Sequence, residues 1–317
     1  MIAGGGWIAH YLTTPTPLPA TPFEFNVKPG TTMRGIAQQL SQAGVVSQPL
    51  LLTWAARLSG KGSALKAGNY ALEAALTPWD LLQKLTKGDV TQSEVKFIEG
   101  WTFQQMRQVL ANTPDLQHET QGLSTNEIMA KLGFPDQHPE GRFFPSTYFF
   151  SNGMSDLALL ARAHKLMQTQ LENAWRDRAP NLPYATPDEA LTMASIVEKE
   201  TGQAAERPLI AGVFINRLRI GMLLQTDPTV IYGLGESFDG NLRRRDLLAD
   251  TPYNTYTRGG LPPSPIAMPG LGSLQAALHP AETKALYFVA KGNGFHQFSS
   301  TLAQHNQAVN RYQRNQK

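Results

Sequence analysis

The stretch TPDEALTMASIVEKETG, residues 186–202, decides the fold of the larger part of the chain. It predicts one short helix, because Thr186 suits the N-cap, Pro187 suits the first helical position, and Glu189 completes a capping box. Gly202 is predicted to end it. At about 100° per residue, one face is apolar. Its members are Ala190, Met193, Ala194, Ile196 and Val197.

Two glutamates, Glu198 and Glu200, flank that apolar face on opposite sides. Glu200 lies one turn from Ile196 and Val197, so burial of the helix would draw its carboxyl toward an apolar surface. A carboxyl in such a place resists ionisation. The alternative is that both are solvated helix-end residues, since Glu is mostly exposed in proteins. The stretch alone leaves the choice open.

Composition narrows the class of protein. A chain of 317 residues is long enough for two domains, and 41% hydrophobic residues are ordinary for a folded globular protein. The net charge of +3 comes without long basic runs, since the run of arginines 243–245 is followed at once by Asp246. Nucleic acid is therefore not an expected partner. The absence of cysteine excludes disulfides and thiol catalysis.

Several kinds of active site have no motif in this sequence. The seven histidines show no H-x-x-x-H pair or other metal-ligand spacing, so no metal is expected. The serine-hydrolase motif G-x-S-x-G is absent, and the glycines of GLGESFDG, residues 233–240, do not form a phosphate-binding loop. We therefore expect no cofactor.

The first 22 residues differ from the rest. Residues 1–12, MIAGGGWIAHYL, are apolar but too few to span a bilayer, and residues 13–22, TTPTPLPATP, are typical of an extended proline-rich linker. Residues 23–46, FEFNVKPGTTMRGIAQQLSQAGVV, then predict a strand, a turn at Pro29–Gly30 and a helix. A second helix over 50–58, a returning strand within 65–72 and a helix capped by Thr77 complete a unit that closes near Gly88.

The start of this unit is echoed 70 residues later. VKPGTTMRGIAQQL, residues 27–40, is answered by FIEGWTFQQMRQVL, residues 97–110, with Gly100 and Thr102 in the places of Gly30 and Thr32. The echo predicts a second strand, glycine turn and Thr-capped helix. Further helices are predicted near 156–174, 208–221 and 273–280, with a hairpin over 285–298 and a last helix after it. The predicted fold class is α+β.

The loops after residue 220 are rich in Asn, Gln, Tyr and Pro, which is typical of a groove that binds sugars through hydrogen bonds and ring faces. Asn216, in the middle of a predicted helix, is unfavourable there unless its amide has a partner. The candidate substrate contacts, or residues that orient Glu200, are Asn216, Gln225, Asp227, Tyr253, Asn254 and Tyr256. Ordinary turn chemistry is the alternative for each of them.

Four ordered motifs make the chain similar to a known family. They are ASIVEKETG (194–202), FINRLRIGMLLQTDPTVIYG (214–233), YNTYTRGGLPPSPIAMPG (253–270) and HPAETKALYFVAKGNGFHQF (279–298). In this order and spacing they closely resemble the YceG-like (MltG) endolytic murein transglycosylases, and the resemblance extends from about residue 23 to the C-terminus. Two residues depart from the family pattern, which often has Asp in place of Ser146 and Gly in place of Ser264.

The resemblance implies an organisation and a location. Residues 1–22 would be a juxtamembrane remnant and linker, residues 23–90 a LysM-like βααβ module, and residues 91–317 the catalytic domain. One N-terminal helix, missing from this chain, would tether the protein to the bacterial inner membrane with the catalytic domain in the periplasm. Peptidoglycan glycan strands would be the substrate, and penicillin-binding proteins or other peptidoglycan synthases are implied as partners.

The resemblance also implies a reaction: cleavage of the β-1,4 bond between N-acetylmuramic acid and N-acetylglucosamine, leaving a 1,6-anhydro sugar end, during cell wall synthesis and chain termination. The family motif makes Glu200 the catalytic residue. One carboxyl suffices, because the C6 hydroxyl of muramic acid is the nucleophile. Two alternatives stay open: a hydrolytic muramidase with Asp227 or another acid as second carboxyl, and a glycan-binding protein without activity.

Overall fold

The structure is a computed structural model that describes residues 2–19, 23–72, 74–88, 92–151 and 153–314. The chain is divided into two compact units. The first contains Met1–Glu94, Asp115–Gln117 and Phe149–Met154; the second contains Val95–Pro114, His118–Tyr148 and Ser155–Lys317. The mixture of helices and strands confirms the predicted α+β class. The predicted domain boundaries at residues 22 and 90 stay predictions.

Up to residue 88, the described part of the first unit contains four helices and two paired strands. These are α1 (Ile2–Thr13), β1 (Phe23–Val27), α2 (Met33–Gln42), α3 (Pro49–Leu58), β2 (Gly68–Leu72) and α4 (Pro78–Lys87). Strands β1 and β2 are antiparallel, with Phe23 opposite Leu72 and Val27 opposite Gly68. The order strand, helix, helix, strand agrees with the sequence pattern. Whether this module is LysM-like stays a prediction.

Short-range signals explain the helix ends of this unit. The Thr32 hydroxyl accepts a hydrogen bond from the Gly35 amide at 3.2 Å and so caps α2. Thr77 caps α4 in the same way, and Gly88 closes α4 in the left-handed conformation, with φ of 79°. Ile36 and Leu40 project from α2 into a fully buried core.

The N-terminal segment is helical over α1. Beyond it, Thr16 forms an isolated antiparallel bridge with Leu76. Residues 20–22 of the predicted proline-rich linker lie outside the described residues. Within the described ranges, no helix has both the length and the apolar content needed to cross a membrane.

The rest of the chain contains nine helices and six short strands in its described part. The first elements are β3 (Gln92–Lys96), α5 (Phe103–Ala111), β4 (Leu116–Gln117), α6 (Thr125–Lys131), β5 (Thr147–Ser151), β6 (Met154–Ser155) and α7 (Asp156–Arg176). They are followed by α8 (Pro187–Glu200), α9 (Arg207–Arg219), α10 (Asp227–Leu234), α11 (Arg244–Leu248), α12 (Leu271–Leu278), β7 (Tyr287–Ala290), β8 (His296–Ser299) and α13 (Leu302–Val309). Strand β3 pairs with β5, β4 with β6, and β7 with β8.

The predicted echo is confirmed at α5. Thr102 caps α5 and forms a full capping box with Gln105, as Thr32 caps α2. Gly100 and Gly30 both adopt a positive φ, 77° and 82°, which a residue with a Cβ rarely adopts. The repeated strand, glycine turn and capped helix therefore arises from the same local chemistry at both places.

Helix α8 forms the centre of the second unit, where it packs against α7, α9, α10 and α12. Every residue from Ala190 to Val197 is buried. The partner helix α9 approaches the chain before β7 closely at Gly212, where a Cβ would lie 2.6 Å from the Ala281 carbonyl oxygen. A glycine is therefore required at this crossing.

Glu140 is an acidic side chain inside this unit, with 4% of its surface exposed. Its Oε1 accepts a hydrogen bond from the Phe103 amide, at the start of α5, at 3.0 Å. Its Oε2 accepts one from the Tyr232 hydroxyl at 3.2 Å. Burial raises the pKa of Glu140 to about 7, although both hydrogen bonds act in the opposite direction.

This buried carboxyl makes stability depend on pH. Between the ordinary pKa of 4.5 and about 7, the folded state holds a proton that the unfolded state has lost, so the free energy of unfolding falls as pH rises. Glu140→Gln stays neutral and keeps both partners. From pH 5 to pH 8 it should gain about 2–3 kcal/mol relative to the wild type in urea unfolding. The exposed Glu172→Gln is the matched control, and equal pH slopes for all three proteins would contradict the assignment.

Candidate active site

Helix α8 begins as the sequence predicts, with one difference. The Thr186 hydroxyl accepts from the Glu189 amide at 3.3 Å, which is the expected cap. The Glu189 carboxylate, however, accepts from the amide of Ala185 at 2.5 Å rather than from that of Thr186. In the predicted capping box, the Glu189 side chain would accept from the Thr186 amide. It accepts from the preceding amide instead, and so still provides a hydrogen-bond partner for a backbone N–H next to the helix start.

Helix α8 ends on Glu200. Thr201 has an extended backbone, with φ of −147° and ψ of 134°, so Thr201 and not Gly202 ends the helix. The Glu200 side chain lines a cavity of about 470 Å³. The apolar face of α8 therefore leads directly to a carboxyl at the edge of a groove.

Thr226, the residue before α10, donates a short hydrogen bond from its hydroxyl to Glu200 Oε1. Thr226 is the N-cap residue of α10, yet its side chain makes no capping bond to that helix. The Thr226 hydroxyl binds Glu200 instead. Behind it, the Thr226 amide donates to Thr255 Oγ1 at 3.1 Å, and the hydroxyls of Thr229 and Thr255 lie 2.9 Å apart. This buried threonine cluster fixes the position of the donor.

Asp227 and Tyr256 form the other side of the groove. The Tyr256 hydroxyl donates to Asp227 Oδ1 at 2.5 Å. Asp227 is exposed and lies in the first turn of α10, where a negative charge is favourable. The groove thus places an ionisable carboxyl close to Glu200 while a phenol hydroxyl occupies one of its oxygens.

The surroundings of Glu200 act on its pKa in opposite directions. Burial raises the pKa, and this is the largest effect; the like charge of Asp227 raises it further. The hydrogen bond from Thr226, and then the charges of His296 and Arg217, lower it. The net result is a raised pKa, so Glu200 retains a proton at a higher pH than an ordinary glutamic acid.

Arg217 supplies a cation to the groove from α9. Its guanidinium is buried and donates to the carbonyl oxygens of Leu286 at 2.7 Å and Leu224 at 2.6 Å. It lies 5.4 Å from the centre of the Tyr287 ring, within cation–π range. The charge is therefore fixed in place by backbone oxygens rather than by a carboxylate.

The structure brings Glu200, Gln225, Asp227 and Tyr256 together in one groove. Gln225 has a positive φ of 50°, uncommon outside glycine, and its amide donates to the Thr255 carbonyl oxygen at 3.0 Å. This turn presents Gln225 to solvent and delivers Thr226 to Glu200. Roles for these residues in substrate binding stay predictions.

The two predicted asparagines lie elsewhere. The Asn216 amide donates to the carbonyl oxygens of Thr283 and Ala285, at 2.8 and 3.1 Å, and so ties α9 to the chain before β7. Asn254 is 1% exposed, and its amide donates to three carbonyl oxygens of residues 246–249. The partner expected for the mid-helix amide of Asn216 is thus backbone. Both side chains hold loops in place.

Tyr253 lies outside the groove lining. Its hydroxyl is 2.7 Å from Ser264 Oγ, one of the two positions that depart from the family pattern, and its ring packs edge-on against Tyr232. The other departure, Ser146, accepts from the Phe97 amide through its carbonyl at 2.9 Å. Ser264 therefore supplies a partner for a tyrosine hydroxyl that a glycine would leave without this bond.

Comparison with known proteins shows which family this chain belongs to. The model of the YceG-like family matches residues 25–311, which is most of the chain. The chain belongs to the YceG-like family. A Bacillus subtilis relative named endolytic murein transglycosylase is 34% identical over 92% of this chain and 85% of its own length.

Two other comparisons support the placement in the YceG-like family. A Streptococcus pneumoniae D39 protein of the same name is 27% identical over 92% of this chain, which spans 59% of that protein's length. The crystal structure of a YceG-like protein from Listeria monocytogenes is 30% identical, with a TM-score of 0.58, and the match covers 90% of this chain and 99% of the other. The overall fold is thus shared with a solved member of the family.

The site of this YceG-like protein contains residues that sequence reasoning missed. They are Thr226, Arg217, His296 and Tyr287, and all of them line the groove. All four lie inside two of the four quoted motifs, and Tyr287 and His296 also lie in the predicted hairpin. Positions beside the selected Gln225, Asp227 and Asn216 could have indicated Thr226 and Arg217. The others are brought to Glu200 by tertiary packing.

A second cavity, of about 960 Å³, is larger than the groove at Glu200. Its lining includes Asp188, which pairs with Arg142 at 2.7 Å. The hydrogen bond from Arg142 lowers the pKa of Asp188, so this carboxyl is ionised and unsuited to donate a proton. Within the described ranges, no three His, Asp or Glu residues come together in a way that could hold a metal ion. Of Asp188 and Glu200, only Glu200 has a raised pKa.

Glu198 has a different environment from Glu200. Its Oε2 accepts from the Gly270 amide at 3.0 Å and from the Ser273 hydroxyl at 2.7 Å, at the start of α12. Its Oε1 lies 3.6 Å from Arg207 Nη2, and the side chain is 7% exposed. Glu198 is thus paired with a cation, a backbone donor and a hydroxyl. It is not the solvated helix-end residue of the alternative interpretation, because its side chain is buried.

Substitution of the two glutamates should therefore have different effects on the stability of the protein. Glu198→Gln weakens the charge-assisted bonds to α12 and Arg207 and should lower the free energy of unfolding by about 1–3 kcal/mol. Glu200→Gln removes a carboxyl that burial disfavours in its ionised form, so stability at pH 8 should be unchanged or higher. Chemical denaturation of the two variants at pH 8 measures both. A larger loss for Glu200→Gln than for Glu198→Gln would contradict these assignments.

Proposed function

We propose that this protein is a lytic murein transglycosylase that cleaves peptidoglycan glycan strands internally, between N-acetylmuramic acid and N-acetylglucosamine, and leaves 1,6-anhydro-muramic acid ends. The observation that carries the proposal is the environment of Glu200: a carboxyl with a raised pKa, held by a threonine hydroxyl at the edge of a polar groove. The name of the Bacillus subtilis relative supports the substrate class.

One carboxyl can perform both proton transfers. In the first step, Glu200 gives its proton to the bridging glycosidic oxygen and the bond from C1 to that oxygen breaks, which leaves Glu200 ionised. A raised pKa keeps the proton in place until this step. Glu200 thus acts first as a general acid, and the part of the strand that begins with N-acetylglucosamine leaves with a new hydroxyl group.

In the second step, the C6 hydroxyl of the same muramic acid attacks C1, and its proton passes to the Glu200 carboxylate. This closes the 1,6-anhydro ring and restores the protonated acid. Because the nucleophile belongs to the substrate, the step needs no activated water. It also avoids the entropic cost of bringing two molecules together. The proposal therefore requires no further acid in the groove.

The remaining groove residues would bind the sugar chain. Tyr256 offers a ring face, while Gln225 and Asp227 offer polar atoms for sugar hydroxyls and N-acetyl groups. Glycan binding by the first unit, a periplasmic location at the inner membrane, a function in strand termination and contact with penicillin-binding proteins or other synthases stay predictions from the family resemblance.

The first test follows the products. Digestion of purified sacculi should yield 1,6-anhydro-muramic ends by mass spectrometry, and Glu200→Gln should reduce their formation by about 10²- to 10⁴-fold with the fold intact. The matched control is Glu172→Gln, which is exposed on α7 and should retain full activity. Activity should also be unchanged by chelators. A fully active Glu200→Gln protein would overturn the mechanism.

Asp227 motivates the competing hydrolytic mechanism, because its charge acts on Glu200 within the same groove. A muramidase would use it as the second carboxyl and would transfer water to C1. Reducing muramic acid ends as the dominant product, together with equal losses in Asp227→Asn and Glu200→Gln, would identify a hydrolase. The proposed reaction predicts anhydro ends and a smaller loss for Asp227→Asn.

The second test concerns the pH profile. A general acid must be protonated, so activity should fall as pH rises through the pKa of Glu200. Thr226→Val removes a hydrogen bond that lowers this pKa and should therefore move the fall in activity to higher pH. At the low-pH plateau the rate should change by no more than about tenfold. Thr169→Val, on the exposed face of α7, is the control; a shift to lower pH in Thr226→Val would contradict the role of this bond.

A further inference from the structure

A buried glutamate and a histidine are paired beside the groove. Glu206 is 7% exposed and follows α8 on the short turn over residues 204–206. Its Oε1 accepts from the backbone amide of His296 at 2.9 Å, and its Oε2 lies 2.8 Å from His296 Nδ1. The carboxylate therefore grips the first residue of β8 by both its main chain and its ring.

This grip determines which ring nitrogen is available. A carboxylate can only accept hydrogen bonds, so as the partner of a carboxylate Nδ1 is the donor, and Nε2 is the nitrogen not occupied by Glu206. The ring is also held edge-on by Phe288, with 5.4 Å between the ring centres. His296 lines the same cavity as Glu200, whereas Glu206 does not. The histidine is thus fixed in orientation at the wall of the groove.

We propose that Glu206 and His296 are a positioning pair for the reaction, in which the buried Glu206 carboxylate holds His296 as an imidazolium that stabilises the Glu200 carboxylate formed when the glycosidic bond breaks. The inference rests on the proposed function, since it assigns a partner to the charge that Glu200 acquires. Glu206 itself does not transfer a proton to substrate, because both its oxygens are engaged by His296 and it lies outside the groove lining.

The first step of the proposed reaction leaves a negative charge on Glu200, and the Glu206–His296 pair would stabilise that charge. The proton moves from Glu200 to the glycosidic oxygen, the bond from C1 to that oxygen breaks, and a carboxylate remains in a buried place where a lone charge is costly. A fixed cation beside it lowers that cost without any movement of solvent. When the C6 hydroxyl returns a proton to Glu200, His296 has neither gained nor lost one.

Other charged and titratable groups face Glu200, and the test must separate them from His296. They are Asp227 on α10, Tyr256 on the loop after α11, Arg217 on α9, Tyr287 on β7 and His305 on α13. Asp227 opposes a carboxylate at Glu200, and Arg217 supports one. The guanidinium of Arg217 already binds carbonyl oxygens of Leu223, Leu224 and Leu286. His296 differs from Arg217 because its partner is the buried carboxyl of Glu206 rather than backbone oxygens.

The experiment compares His296→Gln and Glu206→Gln in the full chain. His296→Gln should lower kcat on soluble glycan strands by about 10- to 100-fold with KM within about threefold, because the lost interaction develops only during the reaction. It should also move the fall in activity to higher pH, since the His296 charge lowers the pKa of Glu200. Glu206→Gln leaves the groove lining untouched and should produce the same two changes, smaller in size.

Matched controls use the same residue types outside the groove. His279→Gln and Glu282→Gln are exposed and should keep the wild-type kcat and pH profile. Thermal unfolding of each variant shows whether a loss comes from the fold. Should His296→Gln fail to fold, ¹⁵N NMR of the histidine rings in the folded wild type still decides: both nitrogens of His296 should be protonated at the pH of maximal activity. A neutral His296 ring at that pH would overturn the proposal.

The outcomes also distinguish this proposal from the proposed function. If the wild type makes anhydro ends and Glu200→Gln is inactive, the transglycosylase assignment holds. Wild-type kcat and pH profile in both His296→Gln and Glu206→Gln would then refute the positioning pair alone. If the wild type makes no anhydro ends, the proposed function fails whatever the His296 variants do. A change in KM with constant kcat would assign His296 to substrate binding and would likewise overturn the pair.

Discussion

The burial of one face of helix α8 is the constraint on which the site depends. Packing of Ala190 to Val197 against α7, α9 and α12 fixes the rotation of the helix about its own axis. Once that rotation is fixed, Glu198 must meet the start of α12 and Glu200 must meet the groove. Two glutamates one residue apart on either side of Lys199 thus acquire different chemistry. A substitution that rotated α8 would displace both Glu198 from the start of α12 and Glu200 from the groove.

Local patterns allowed a large part of this arrangement to be predicted. The apolar spacing of residues 186–202 indicates which face is buried, and hence which glutamate is drawn toward an apolar surface. The glycine turns at Gly30 and Gly100 and the helices α2 and α5 that follow them were predicted for the same reason: they depend on hydrogen bonds and backbone angles of residues close in sequence. The helix end was missed because an extended Thr201 has no sequence signature comparable to glycine.

The partners of Glu200 could not be predicted in the same way. Thr226 is 26 residues away, and the general preference of a Thr at an N-cap is to bind its own helix, so the sequence indicates a structural role for it. His296 and Glu206 are 90 residues apart, and nothing in either segment specifies the other. Asn216 and Asn254 carry the same amide whether it meets a sugar or a carbonyl oxygen. For such side chains only the fold decides between the two.

The proposed reaction gives the one carboxyl of Glu200 two tasks, first as acid and then as base, and its surroundings suit both. Burial and the charge of Asp227 raise the pKa of Glu200 and so favour the protonated form, which the proposed reaction needs before the bond breaks. These two influences alone would also oppose the release of the proton. The hydroxyl of Thr226 and the charges of His296 and Arg217 act in the other direction, and they favour the carboxylate that the proposed reaction forms between its two steps. A groove with only the first set would hold its proton too firmly, and one with only the second would have lost it before substrate arrives. Glu200 at the end of α8, Glu206 in the short connection and Arg217 on α9 lie within one stretch of chain, so the packing that buries the carboxyl of Glu200 also brings Arg217 close to it.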